Sequence, residues 1–316
     1  METVAHFRNY FGVLAAMLLF GCQEKPKPTL ALHENPNPEK EVKIGNRELS
    51  PAFKAYWYNG EAEVSSYTLE QARYGELRQG HAVLIFVTEP FLKKEQVKAD
   101  RAKPGDVNVL KLNYTKKFHT GLYPYSIMTS TFMPTKQQGH ALKVSSSMQE
   151  WCGHVYTQMN NRDQFEIRSH SYFEGEADKS YDLEKTWLED ELWTLIRIAP
   201  EELPVGEIQI VPAMEAARLK HFELKAYTAQ LSLTESTRGT YTYTIQCPEL
   251  NRNLSIQFEK AAPHKILGWQ EQFRSGFGNK AKVLTTKATL KKTLLTPYWT
   301  KNKNADGQLR QELLLD

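Results

Sequence analysis

Residues 61–88 read EAEVSSYTLEQARYGELRQGHAVLIFVT, and the period of this stretch decides the fold class. Apolar and polar side chains alternate from Glu61 to Ala72 and again from Glu76 to Thr88, which is the spacing of a strand with two unlike faces. Tyr74-Gly75 lies between the two runs and predicts a hairpin turn. The second run contains Ala82-Val83-Leu84-Ile85-Phe86-Val87, apolar at every position. Such a strand is central or covered on both sides.

On the N-terminal side, Ser50 can cap a short helix that Pro51 opens and Leu49 staples. Phe53 and Trp57 recur at helical spacing and would anchor that helix on the core, and Asn59-Gly60 ends it. On the C-terminal side, period two returns over 107–114 and 125–133. It returns again over 151–158 and 164–175, which flank the turn residues Asn160-Asn161-Arg162-Asp163. The stretch 182–198 breaks the pattern: Leu183, Trp187, Leu188, Leu192, Leu195 and Ile196 recur every three or four residues. It predicts the one substantial helix, with Asp182, Glu184, Glu189, Asp190 and Glu191 as a solvated face. Strands are expected at 206–211, 222–233, 240–246, 253–260 and 265–273. From Arg274 onward nine Lys/Arg stand against three acids, and 283–295 reads as an edge strand guarded by lysines. A basic segment of this kind can also attract anionic lipid headgroups. The expected fold is mainly β: a large twisted antiparallel sheet, half-barrel or barrel, with one interrupting helix.

The chain has 316 residues, 40 Lys+Arg and 37 Asp+Glu, for a net charge of +3. Near-neutrality excludes a dedicated nucleic-acid binder, and the length permits a sizeable core without disulfides or metal. The long apolar run, Phe11 to Phe20, is about half of what a membrane-spanning helix needs. It ends in Leu19-Phe20-Gly21-Cys22, which resembles a bacterial lipobox. That resemblance implies a signal peptide at 1–21, a diacylglycerol on Cys22 and anchoring by lipid. Gln23 after the Cys points to the outer membrane, facing the periplasm. Residues 22–46 carry Pro26, Pro28, Pro36 and Pro38 among charges and read as a Pro-rich tether. Residues 47–316 then form a single β-rich domain.

With Cys22 lipidated, Cys152 and Cys247 remain. In an oxidising compartment they either bridge, closing a loop of about 95 residues, or stay as free thiols. In Trp151-Cys152-Gly153-His154-Val155-Tyr156, a strand would put Cys152, His154 and Tyr156 on one face, opposite His170 and Tyr172 of the next strand. His154, Tyr156, His170 and Tyr172 are therefore the candidate ligand-facing residues. Cys152, His154 and His170 could alternatively serve an envelope hydrolase. The Cys-x-His spacing does not suit zinc, and Glu174, Glu176 and Asp178 lack the pattern of a calcium loop. G-x-S-x-G, H-E-x-x-H, C-x-x-C and a P-loop are absent. No metal, cofactor or catalytic residue is assigned.

Several stretches resemble a family of Bacteroidota lipoproteins. They are Phe53-Lys54-Ala55-Tyr56-Trp57-Tyr58, Gln71-Ala72-Arg73-Tyr74-Gly75-Glu76, 83–89, 121–126, Gln149-Glu150-Trp151-Cys152-Gly153-His154-Val155 and 169–175. The resemblance implies an exported lipoprotein. Members often carry the label septum formation inhibitor Maf, which would imply nucleotide pyrophosphatase activity. The S-x-S-P-R-R signature of Maf pyrophosphatases does not occur in this chain. Separately, Glu191-Leu192-Trp193-Thr194-Leu195-Ile196-Arg197 followed by Pro204-Val205-Gly206 resembles periplasmic half-barrel domains. The expected function is a membrane-anchored, non-enzymatic binding or interaction module. Its ligand would be hydrophobic or a glycan, or its partner an envelope protein.

Overall fold

Residues 61–88 lie in β1 (Ala62–Arg73) and β2 (Glu76–Leu92), paired antiparallel with Arg73 opposite Glu76. Tyr74 and Gly75 both take the left-handed conformation, at φ 55° and 78°, which is the two-residue turn that matches strand twist. Before it comes α1 (Pro51–Trp57), whose Ser50 hydroxyl accepts the Phe53 N–H at 3.0 Å. These details belong to a computed structural model that describes residues 45–236 and 239–315. The expected signal peptide at 1–21, Cys22 and the expected tether up to residue 44 lie outside the described residues.

The chain continues through β3 (Val97–Lys98), β4 (Val107–Thr120), β5 (Tyr123–Pro134), β6 (Lys143–Glu150), β7 (Gly153–Asn161), β8 (Phe165–Ser171) and β9 (Lys179–Leu183). Then β10 (Trp187–Leu188) leads directly into α2 (Glu189–Ile198). The second half runs β11 (Gly206–Val211), α3 (Met214–Lys220), β12 (Tyr227–Ser236), β13 (Thr240–Cys247), β14 (Arg252–Glu259), β15 (Ile266–Ser275), β16 (Lys282–Thr296) and α4 (Gln308–Glu312).

All strands join one sheet in the order β10-β11-β12-β13-β14-β15-β16-β1-β2-β4-β5-β6-β7-β8-β9, with β3 beside β2. Pairing is antiparallel apart from β10 with β11. The sheet does not close by hydrogen bonding, because β9 and β10 are its two edges. Yet only Glu184–Thr186 separate them, a span of about 15 Å at most. The sheet therefore curls far enough to bring the end of β9 and the start of β10 within that span, giving an open barrel. The expected mainly β architecture with an interrupting helix is what forms.

Helix α2 fills the interior, and all ten of its residues are buried. Strands from opposite parts of the sheet reach it. Thr131 of β5 donates to the Asp190 carbonyl at 3.1 Å, and Trp193 packs on Tyr114 of β4 and Trp269 of β15 at ring distances of 5.1 and 5.2 Å. Inward-pointing Tyr67, Leu69, Leu84, Phe86, Leu112, Ile127, Ile167, Tyr243 and Ile256 complete this core. On the outside, Leu313 of the C-terminal tail sits on Val64 and Val83, with Tyr298, Leu294 and Ile85 around it. The all-apolar run of β2 is thus covered on both faces, as its composition requires.

Three sequence expectations are corrected here. The helix does not begin at Asp182 but at Glu189, because 179–183 pairs with β8 as the edge strand β9. Glu189, Asp190 and Glu191 are not a solvated face; each is buried against a partner described below. Residues 282–296 are not an edge strand: β16 pairs with β15 on one side and β1 on the other, near the middle of the sheet. Its Lys287 and Lys292 project from the outer face into solvent.

Candidate functional site: a groove at the entry end

Strand directions give the barrel two ends. At the entry end the described chain begins, α1 packs, β1 starts and α2 finishes. At the far end lie the β1–β2, β4–β5, β6–β7, β8–β9 and β15–β16 connections.

The helix is held by ion pairs at both ends. Arg197 donates to both carboxylate oxygens of Glu63 at 2.7 Å, and its Nε donates to the Pro263 carbonyl at 2.9 Å. Its guanidinium lies over the rings of Trp57 and Phe86 at 4.9 and 4.6 Å. Tyr56 donates its hydroxyl hydrogen to Glu63 at 2.5 Å. Burial works to raise the Glu63 pKa, but the Arg197 charge and the hydrogen bonds outweigh it and hold the carboxyl low.

At the far end Glu189 accepts both Arg252 Nη groups, at 2.5 and 2.6 Å, while Arg252 Nε donates to Glu271. Lys220 lies 2.8 Å from Glu271, and Lys116 lies 2.7 Å from Glu215. Asp190 accepts the Met214 N–H at 3.0 Å. Glu191 accepts the N–H groups of Leu188 and Ala141 and pairs with His140 at 2.8 Å. Beside these charges a cavity of about 20 Å³ lies against Tyr114, Trp193 and Trp269. It holds one water molecule at most. This cavity has no room for a ligand.

Ligand-sized space occurs at the entry end instead. A groove of about 590 Å³ lies between α1, the segment leading into it, the 3₁₀ turn at Pro200–Glu202 and the β14–β15 connection. Phe53 and Tyr56 of α1 supply ring surface, Ile198 and Pro263 the opposite apolar wall, and Glu201 and His264 polar groups. Arg47 braces the rim: it pairs with Glu202 at 2.8 Å and donates to the carbonyls of Pro134 and Gln137 at 2.9 and 2.7 Å. Burial, with Arg197 nearby, pushes the His264 pKa down, so at neutral pH its imidazole is uncharged.

The residues singled out from sequence lie elsewhere. Cys152 is in the β6–β7 turn rather than in a strand, exposed, and its N–H donates to Glu150 at 2.9 Å. The Glu150 hydrogen bond and charge push its thiol pKa up, the opposite of what a nucleophilic cysteine requires. His154, Tyr156 and His170 project from the outer face of β7 and β8, where Tyr156 and His170 stand cross-strand. His170 pairs with Asp178 at 3.1 Å. Tyr172 lies over Gly153, whose missing Cβ makes room for its ring. None of these candidates lines the groove.

Of the two alternatives for the remaining cysteines, the structure has the free thiols. Cys152 and Cys247 are free thiols, one exposed and one buried, and nine strand steps separate β7 from β13 in the sheet. No group of three or more His, Cys, Asp or Glu that could hold a metal occurs among the described residues. No described helix is long and apolar enough to cross a membrane. The groove itself escaped sequence reading because its walls come from four separate segments. Phe53 and Trp57 are the signal the sequence offers: Trp57 is the core anchor expected of it, whereas Phe53 lines the groove.

No protein family, curated protein or solved structure matches this chain.

Proposed function

We propose that the protein is an envelope lipoprotein, tethered through Cys22, whose barrel is a non-enzymatic binding module with its ligand site in the entry-end groove. The observation that carries this reading is the groove: it offers ligand-sized volume while the barrel interior is plugged by α2. Ring surface beside neutral imidazole and carboxylate groups suits a glycan, which combines apolar ring faces with hydroxyls, better than a purely hydrocarbon cargo. The same plug argues against a carrier with its ligand at the barrel centre.

The test is calorimetric titration with chitotetraose, comparing the parent chain with Ala52→Trp, which adds an indole at an exposed position of the groove wall. Saturable binding that the substitution abolishes, with thermal stability retained, supports the assignment. Binding unaffected by the filled groove would move the site elsewhere, and no binding by the parent would remove the glycan reading. Tethering is tested apart from this: Cys22→Ser should shift the chain from the membrane to the soluble fraction of the envelope.

A further inference from the structure

The charges of the entry-end groove divide into those answered within the fold and those left over. Its two guanidiniums are fully engaged. Arg47 sets Nε and Nη2 on Glu202 and donates Nη1 to the Pro134 and Gln137 carbonyls. Arg197 gives both Nη groups to Glu63 and its Nε to the Pro263 carbonyl. The Gln138 amide is spent as well, donating to Glu202 at 3.0 Å. Lys54 and Lys265 stand near in sequence but do not line the groove.

Two lining carboxylates differ from these. Glu48, on the segment leading into α1, and Glu201, in the 3₁₀ turn, are both exposed. Neither has a hydrogen bond or an ion pair with any described residue. Glu201 acts on His264, whose imidazole is uncharged at neutral pH, so no positive charge answers it. With Glu202 set against Arg47 and Glu63 against Arg197, the groove retains two negative charges.

We infer that the groove selects a cationic amino-sugar oligosaccharide, with free amines on its rings, over neutral and acidic glycans. This rests on the glycan-binding reading and specifies the sugar. An ammonium brings three donors and no acceptor, the complement of a site whose remaining charged groups only accept. Its charge-assisted hydrogen bonds go to Glu48 and Glu201, while the sugar's apolar ring faces lie on Phe53 and Tyr56. An N-acetyl, carboxylate or phosphate group brings acceptors instead, for which the engaged guanidiniums have no donor to spare. A lysine peptide has the ammonium groups but adds a carbonyl acceptor at every residue, and its flexible stems lack a flat face to stack.

The experiment is calorimetric titration of the full-length protein, at low salt and mildly acid pH, with tetraglucosamine and with chitotetraose, its N-acetylated counterpart. Tetraglucosamine should bind about tenfold tighter, and added salt should erode that advantage by screening. Glu48→Gln combined with Glu201→Gln should abolish the preference. Glu174→Gln, which alters an exposed carboxylate at the far end, should retain it. Ala52→Trp should block both sugars. Equal affinity for the two sugars would leave the groove a glycan site and overturn the amine selectivity alone. A preference that survives the double Gln variant would overturn it too, by placing the amines elsewhere. Tetralysine competing as well as tetraglucosamine would replace the sugar with a cationic peptide. Binding of neither sugar would remove the glycan reading and this inference together.

Discussion

Asp190 is the residue on which the far-end charge cluster balances. Around it Glu189, Glu215 and Glu271 face Lys116, Arg252 and Lys220, so with Asp190 protonated the buried charges sum to zero. Burial chiefly, then the nearby Glu189 and Glu215, push its pKa up to about 7, against the hydrogen bond from Met214. A carboxyl held protonated in the fold stabilises it at acid pH, and that contribution is lost as pH rises from its ordinary value toward 7. From 3.8 to about 7 this amounts to roughly 4 kcal/mol. Glu63 and Glu271 act in the opposite sense: their depressed pKa values stabilise at neutral pH, and the contribution disappears on acidification below the ordinary carboxylate range. Asp190→Asn imitates the protonated form, so it should match the parent near pH 4 and exceed it in thermal midpoint by pH 8. A variant difference that does not grow with pH would refute the assignment. At the other end of α2, Glu63→Gln should cost about 3–5 kcal/mol in a denaturant melt, because it leaves the Arg197 charge buried without its counterion. The paired replacement Glu63→Leu with Arg197→Met should recover much of that loss.

The C-terminal tail shows what an element contributes that the sheet cannot supply itself. It covers the outer face of β1 and β2, with Leu313 on Val64 and Val83 and the Ser66 hydroxyl donating to the Leu313 carbonyl. Leu313→Ala should destabilise by about 2–3 kcal/mol. A chain ending at Thr296 should in addition bind a hydrophobic dye in its native state, since Val83 and Ile85 would face water; unchanged melts for both would show the tail to be passive. Elements were legible in sequence where local chemistry specifies them. The Tyr74-Gly75 turn, the Ser50 cap and the doubly apolar β2 could be read because each depends on neighbours a few residues away. β6 was missed because its inward side chains are Val144, Ser146 and Met148, too polar a row to mark a buried face. The acids of α2 escape a local reading for a related reason: a charged face looks solvated until Arg252, the Met214 N–H and His140, distant in sequence, are brought opposite Glu189, Asp190 and Glu191. β16 carries an edge strand's lysines yet lies mid-sheet, because solvent reaches its outer face rather than its hydrogen-bonding edge. The groove was illegible because four separate segments build it.

At the scale of the molecule, nearly every strand pairs with its neighbour in sequence, and the exception is β16 with β1, which register Leu295 against Glu63. Contacts of that separation carry the greatest loop-closure entropy, while successive hairpins form locally. Assembly can therefore proceed hairpin by hairpin from either direction, but the wall is complete only when the last long strand made meets the first. Because α2 already stands between the two halves and holds partners from both, it is the template on which they close. A chain emerging from synthesis thus has its aromatic lining open to solvent until β16 arrives, and the vulnerable interval of this protein is set by the time needed to deliver the strand Lys282–Thr296.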